Sequence, residues 1–327
     1  MFCCQTVLRL YTMKRITFIA IAFTLLVSTV SASNSIGGNT PTPQSSSIHY
    51  INAPRFVRPL IEKWITEYKK IEPQTDFAIA KTAADKKRSA LSIKLSDHAA
   101  TSSDSLPRTV YFGSYAILPV TAQDSEAAQI LSNQKLNAKR LKSLFFENEE
   151  EENGKADKKK SQVVVYTGTN TQSVAQVFAA HFGKEASKFR GKRIVGDDQF
   201  LNTALLNDKK GISLNAIGNV YDLKTRQLKA GLQVLNLDVD KNKQSAFLPA
   251  STLDDLISTL ESSEIEAVPV ETIGLSFSET DIVSAKFAAW VLKESGKFNH
   301  QYGLLRLNDK LVAQQAKELT GELTAQK

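Results

Sequence analysis

Cysteine is nearly absent from this 327-residue chain, and the two it has, Cys3 and Cys4, stand at the extreme start. The rest of the sequence offers no thiol for a disulfide, a thioester or a soft-metal site. Histidine is scarce as well. His49, His98, His181 and His300 stand singly, without a His-x-x-x-His pair, so neither a metal site nor a cofactor is expected. No Gly-x-Ser-x-Gly elbow and no glycine-rich nucleotide loop occurs, which removes the anchors of serine hydrolases and nucleotide enzymes. Lysines and arginines are interleaved with acids, and no aromatic–basic module appears, so no nucleic-acid partner is expected.

Long apolar runs are also lacking. The stretch from Ile16 to Val30 is short for a membrane span. It follows Met13-Lys14-Arg15 and precedes Val30-Ser31-Ala32, whose small residues suit a cleavage site. This is the layout of a secretory signal peptide, with translation starting at Met13 and cleavage near Ala32. A soluble periplasmic or secreted protein is expected. The net charge of +7 includes Arg9, Lys14 and Arg15, so the remainder carries +4, a mild excess compatible with an anionic solute.

Beyond the leader, strands alternate with helices, which makes the class α/β. Residues 33–47 are a Gly/Pro/Ser/Thr tether. Ile48 to Ile51 reads as a strand and Asn52-Ala53-Pro54-Arg55 as a turn. A helix then carries Phe56, Leu60, Ile61, Trp64, Ile65 and Tyr68 on one face and ends at Pro73. Asp76–Ala80 reads as a strand. A helix is expected from Thr82 to Leu95, with Thr82 and Asp85 as a capping pair. Val110–Val120 is the most apolar run, interrupted by Gly113 and Pro119, and suits a strand crossing between two domains. Residues 147–160, an acidic block followed by a basic one, read as a solvated hairpin or loop. Asp197-Asp198 resembles a paired-carboxylate catalytic or metal site, but adjacent carboxylates before a helix are more often caps, and caps are the expected reading. The next helix carries Phe200, Leu201, Leu205 and Leu206. Ile282, Ala285, Ala289, Trp290 and Leu292 mark the buried side of a later helix that Gly296 stops.

One stretch bears on binding. Val163–Tyr166 is a buried strand, and Val174, Val177, Phe178 and Phe182 recur at helical spacing. Thr167 to Ser173 lies between them. A helix starting there points free N–H groups and its positive dipole end at whatever sits in front, which suits a small anion. The plainer reading is that Thr169, Asn170 or Thr171 caps the helix.

Three further segments carry a family likeness. Arg58-Pro-Leu-Ile-Glu-Lys-Trp64 with Glu67-Tyr68 is similar to a "P-L…W…Y" first helix. Tyr111-Phe-Gly-Ser-Tyr-Ala-Ile-Leu-Pro-Val120 sits where a first crossover strand is found. Phe287-Ala-Ala-Trp290-Val-Leu, Gly296-Lys297-Phe298 and Gln301–Leu307 look like a last helix and a "GQ…YGFLPL"-type ending. Together they resemble the phosphate-binding protein family of ABC importers, among the type II periplasmic solute-binding proteins.

That resemblance implies two α/β lobes, each a central mixed sheet flanked by helices, joined by hinge strands that close on a ligand. Lobe 1 would be 48–117 plus 267–327, and lobe 2 would be 118–266. The second-lobe phosphate loop of the family, Arg-x-x-Gly-Ser-Gly-Thr-like, corresponds to Thr167–Ser173, which keeps hydroxyls but has no arginine. The first-lobe loop corresponds to Asn52–Phe56, where Phe56 matches, Pro54 removes an N–H donor and Arg55 supplies a cation. The resemblance therefore implies Arg55, Phe56, Thr169, Asn170, Thr171 and Ser173 as ligand-binding residues. Loss of an arginine weakens phosphate binding or redirects specificity, because charge-assisted contacts are the strong ones. The expected function is capture of a small oxyanion, phosphate by family default, by a monomer that serves an ABC permease or another envelope complex. A binding-protein fold with a decayed site, kept as an envelope scaffold, is the alternative. No enzyme signature is present.

Overall fold

The computed structural model describes residues 47–95, 107–147, 162–170 and 173–325, all within one unit, Ser45–Lys327. The leader, most of the tether, nearly all of the 147–160 block and Thr171 lie outside the described residues. The strands are β1 (His49–Asn52), β2 (Phe77–Ile79), β3 (Ser89–Lys94), β4 (Arg108–Ala122), β5 (Val164–Gly168), β6 (Lys192–Ile194), β7 (Gly211–Ala216), β8 (Leu232–Val234) and β9 (Val270–Phe277). The helices are α1 (Arg58–Ile71), α2 (Ala83–Lys87), α3 (Glu126–Ser132), α4 (Ala138–Phe145), α5 (Val174–His181), α6 (Gln199–Asn207), α7 (Ile217–Val220), α8 (Lys241–Gln244), α9 (Leu253–Ser262), α10 (Ile282–Phe298) and α11 (Asp309–Ala325).

The strands run in the order β2-β1-β3-β9-β4-β7-β5-β6, with β8 beside β4. β4 holds this sheet together. Its first half pairs antiparallel with β9 as far as Ala116, and from Ile117 onward it pairs with β7. β1, β2 and β3 are parallel to one another, as are β5, β6 and β7, so each half contains a parallel set. Every residue of β4 from Phe112 to Ala122 is buried, which explains why the sequence there is mostly apolar rather than alternating, with Ser114 and Thr121 the polar exceptions.

Each half has its own aromatic packing. Trp64 of α1 meets Phe112 edge-on at 4.7 Å, and Tyr68, Phe77, Phe287 and Trp290 cluster between α1, β2 and α10. In the other half Phe145, Phe146, Phe178, Phe182 and Phe189 stack between α4 and α5. Such pairs add to the burial of area of order 150–250 Å² per ring.

Several expectations need correction. The helix over Thr82–Leu95 is only α2. The Thr82–Asp85 capping box forms, but Leu91 and Ile93 then alternate into the core as β3, slotted between β1 and β9. Gly113 and Pro119 do not interrupt β4. Gly113 sits at a register shift, where a Cβ would come within 2.6 Å of Asn299 Nδ2 and 3.0 Å of the Leu305 carbonyl. The Gln315 amide of α11 accepts from Tyr111 N and donates to Tyr111 O, which secures the strand at that shift. In α6 only Leu201 and Leu205 are buried, while Phe200 is 47% and Leu206 54% exposed. Ile282 is 47% exposed, and Phe287, Ala288 and Val291 take its place on the buried side of α10.

Gly296 does not stop α10. The helix runs on to Phe298, and the left-handed residue that ends this region is Gly303, φ 74°, after the short 3₁₀ turn His300–Tyr302. A Cβ at Gly296 would touch nothing within 4 Å. Gly296→Ala is therefore expected to stabilise the protein by about 1 kcal/mol, the helix-propensity difference. A denaturation midpoint unchanged or lowered in that variant would refute this.

Candidate functional site

The C-terminal ends of three strands, one from the first parallel set and two from the second, which runs the opposite way, converge on one cleft. The C-terminal end of β1 leads into the Pro54–Phe56 turn, that of β5 into the loop before α5, and that of β6 into Gly196–Asp198. Ligand clefts in α/β folds form at such ends, because the turns there expose backbone donors and helix N-termini. The cleft, about 260 Å³, is lined by Pro54, Arg55, Phe56, Arg58 and Lys86 on one side. Asn170, Ser173, Gly196, Asp197, Asp198, Phe200 and Asn219 line the other.

Of the residues expected to bind, Arg55, Phe56, Asn170 and Ser173 meet here. Thr169 does not line the cleft. Its backbone N–H and its hydroxyl both donate to the Ile194 carbonyl, at 3.1 and 3.4 Å, extending the β5–β6 ladder. Phe56 is buried and tilted against Tyr115 at 5.5 Å, so it forms a fixed floor. Thr167 is wholly buried, and its hydroxyl accepts from Arg193. The Arg193 guanidinium also donates to the carbonyls of Ala186, Ser187 and Phe189, which makes it a clamp on the chain before β6 rather than a ligand group.

The cap of α5 is neither Thr169 nor Asn170, but Ser173, whose Oγ accepts from Ala175 N at 3.2 Å. The anion at this helix end belongs to the protein. Asp198 accepts from Val174 N at 2.9 Å and from the Ser173 hydroxyl at 2.7 Å. The carboxylate thus fills the place an external anion would take against the first turn of α5. It caps α5, not the helix that follows it in sequence. Asp197 Oδ1 serves that helix, accepting from Gln199 N at 3.1 Å.

Gly168 makes this arrangement possible. A Cβ there would lie 2.4 Å from Asp198 Oδ1 and 2.5 Å from Ser173 Oγ. Behind Asp198, an asparagine network braces the wall. Asn215 Nδ2 donates to the Asp198 carbonyl and to Asn202 Oδ1, and Asn219 Nδ2 donates to Asn215 Oδ1. The Asn219 carbonyl accepts from both Asn202 Nδ2 and Lys229 Nζ at 2.8 Å. Burial raises the Asp198 carboxyl to about 6, against the lowering effect of its bonds to Ser173 and Val174. Burial lowers the Lys229 ammonium, opposed by Asp222 and assisted by the positive charge of Arg55.

The opposite wall is cationic. Arg58 Nε donates to the Ala53 carbonyl at 3.1 Å, and none of Arg55, Arg58 and Lys86 has a carboxylate partner among the described residues. Reasoning from sequence missed Arg58, Lys86 and Asn219, and took Asp198 only for a local cap. Arg58 had left a signal: it stands at the first position of α1, where the helix dipole disfavours a cation and no acid occupies the first turn. A residue set against its local preference marks a site more often than a stabilising choice. Among the described residues no group of three or more His, Asp or Glu could hold a metal ion, and no helix is long and apolar enough to cross a membrane.

No family model and no curated protein matches the sequence. Solved structures do match. A protein from Clostridium perfringens, described as a phosphate ABC transporter substrate-binding protein with bound phosphate, superposes with a TM-score of 0.53 at 12% identity. It covers 80% of this chain and 100% of its own. An ABC-type phosphate transport receptor from Vibrio cholerae gives 0.48 at 16% identity, covering 79% and 100%. The CrgA regulatory domain of a LysR-type transcriptional regulator from Neisseria meningitidis gives 0.42 at 10% identity, covering 77% and 100%. The first of these superpositions, together with a sheet that changes partners along β4, gives the chain the mixed α/β, two-lobed fold of the type II periplasmic binding proteins.

Proposed function

We propose that this protein is an extracytoplasmic solute-binding protein, not an enzyme, which holds a small anion in the cleft between two lobes. The observation that carries the reading is the cationic wall of Arg55, Arg58 and Lys86, facing an open cleft without acidic partners among the described residues. We place lobe 1 at 48–117 plus 267–327 and lobe 2 at 118–266. The change of β4 partner between Ala116 and Ile117 supports that division. Export through the leader, a monomeric state and delivery to an ABC permease complete the proposal, and the phosphate named for the Clostridium perfringens structure makes phosphate the first solute to try.

Isothermal titration of the protein with phosphate, sulfate and molybdate tests it. A charge-assisted hydrogen bond contributes about 1.5–3 kcal/mol, so Arg55→Ala or Arg58→Ala is expected to weaken binding roughly ten- to a hundredfold. Absence of heat with every anion tried would count against an anion cleft. One observation favours a second reading: Asp198 already occupies the end of α5, as in a site given over to structure. A binding-protein fold retained as an envelope scaffold would capture a specific partner from envelope extracts while titrating silently with solutes.

A further inference from the structure

The two walls of the cleft carry opposite charge, and the walls do not neutralise each other. Arg55, Arg58 and Lys86 line one side, Asp197 and Asp198 the other, and no ion pair joins the two sets among the described residues. Asp198 has spent both oxygens on Ser173 and Val174, while Asp197 has one oxygen on Gln199 N and no partner on the other among the described residues. Neither carboxylate can leave easily. Asp198 is locked against Gly168, and Asp197 is fixed by the first turn of α6.

A bare oxyanion in this space meets attraction from one wall and repulsion from the other. A molecule with a negative group at one end and an ammonium at the other satisfies both. Building on the anion-cleft reading above, we infer that the preferred ligand is a small zwitterion, its anionic head toward Arg55, Arg58 and Lys86 and its ammonium toward Asp197. Asn170 and the Asn219 edge supply neutral polar surface between the two ends. Each charged end of such a ligand faces a complementary group on its own wall, and charge-assisted hydrogen bonds are the strong ones.

The test is a matched pair of probes, 2-aminoethylphosphonate and ethylphosphonate, titrated calorimetrically beside inorganic phosphate. The two share the anionic head and differ in the ammonium. The amine is expected to bind roughly tenfold tighter or more. Asp197→Asn keeps the acceptor for Gln199 N and is expected to abolish that preference, weakening the amine and tightening ethylphosphonate, whose anion no longer faces that charge. Arg58→Ala is expected to weaken both probes together. Equal affinity for the pair, or a preference that survives Asp197→Asn, overturns the zwitterion assignment and leaves the anion cleft standing. Silence with all three probes overturns the anion cleft and this assignment with it.

Discussion

Asp198→Asn is expected to make the protein more stable at neutral pH, and to remove a pH dependence that the native chain shows. Burial raises this carboxyl from 3.8 to about 6. The folded state therefore holds the Asp198 proton more tightly than the unfolded chain does. Its contribution is most favourable below about pH 4 and declines as pH rises toward 6, after which it stays constant. A tenfold difference in proton affinity between the folded and unfolded states is worth about 1.4 kcal/mol, so the ionised carboxylate costs at most about 3 kcal/mol at pH 7. Asparagine preserves the geometry: its amide oxygen accepts from Val174 N and its amide nitrogen donates to Ser173 Oγ, without a charge to desolvate.

For a chain of this size the gain corresponds to a Tm rise of at most about 5 °C. Denaturation of both proteins across pH 4–8 gives the comparison, and parallel profiles would remove Asp198 as the source.

Gly168→Ala is expected to act in the opposite direction. The added methyl would stand 2.4 Å from Asp198 Oδ1, 2.5 Å from Ser173 Oγ and 3.1 Å from Ser173 Cβ. These neighbours are short side chains already bound to each other and to the first turn of α5, so neither can swing aside. Overpacking of this kind costs about 1–3 kcal/mol, and relief requires separating Asp198 from Ser173. The upper part of that range is expected, together with weaker solute binding, since the Asn170 and Asp198 sides of the cleft move apart. Gly296→Ala is the internal control, because the same methyl meets open space there. Equal stability of Gly168→Ala and the native protein would show that this junction is looser than its distances imply.

The two substitutions act on one contact, and that contact shows where sequence reading stops. The strand–loop–helix unit of β5 and α5 was legible, because three valines and the Val174, Val177, Phe178 spacing each serve a local period. The same holds for α1, whose amphipathic face is a property of adjacent residues that the core merely accepts. Local signals also existed where the reading failed. Thr82 and Asp85 do form a capping box, yet Ser89–Lys94 has alternating apolar residues, and the gap between β1 and β9 selected the strand. Gly296 carried the stop signal and Gly303 performs the stop, because only the latter takes a left-handed φ.

What the sequence by itself determined is the alternating α/β order, the buried faces of the longer elements, and a hydroxyl-rich helix start at one turn. The tertiary structure alone decided what stands in front of that helix. Asp198 lies 25 residues from Ser173, on the turn after β6, and reaches α5 only because β5 and β6 pair side by side. Arg55, Arg58 and Lys86 likewise converge because α2 packs against β1 in the other half. Charge complementarity across a cleft depends on distance in space, which no local period encodes, so the opposed walls emerge only when both halves of the sheet are joined through β4.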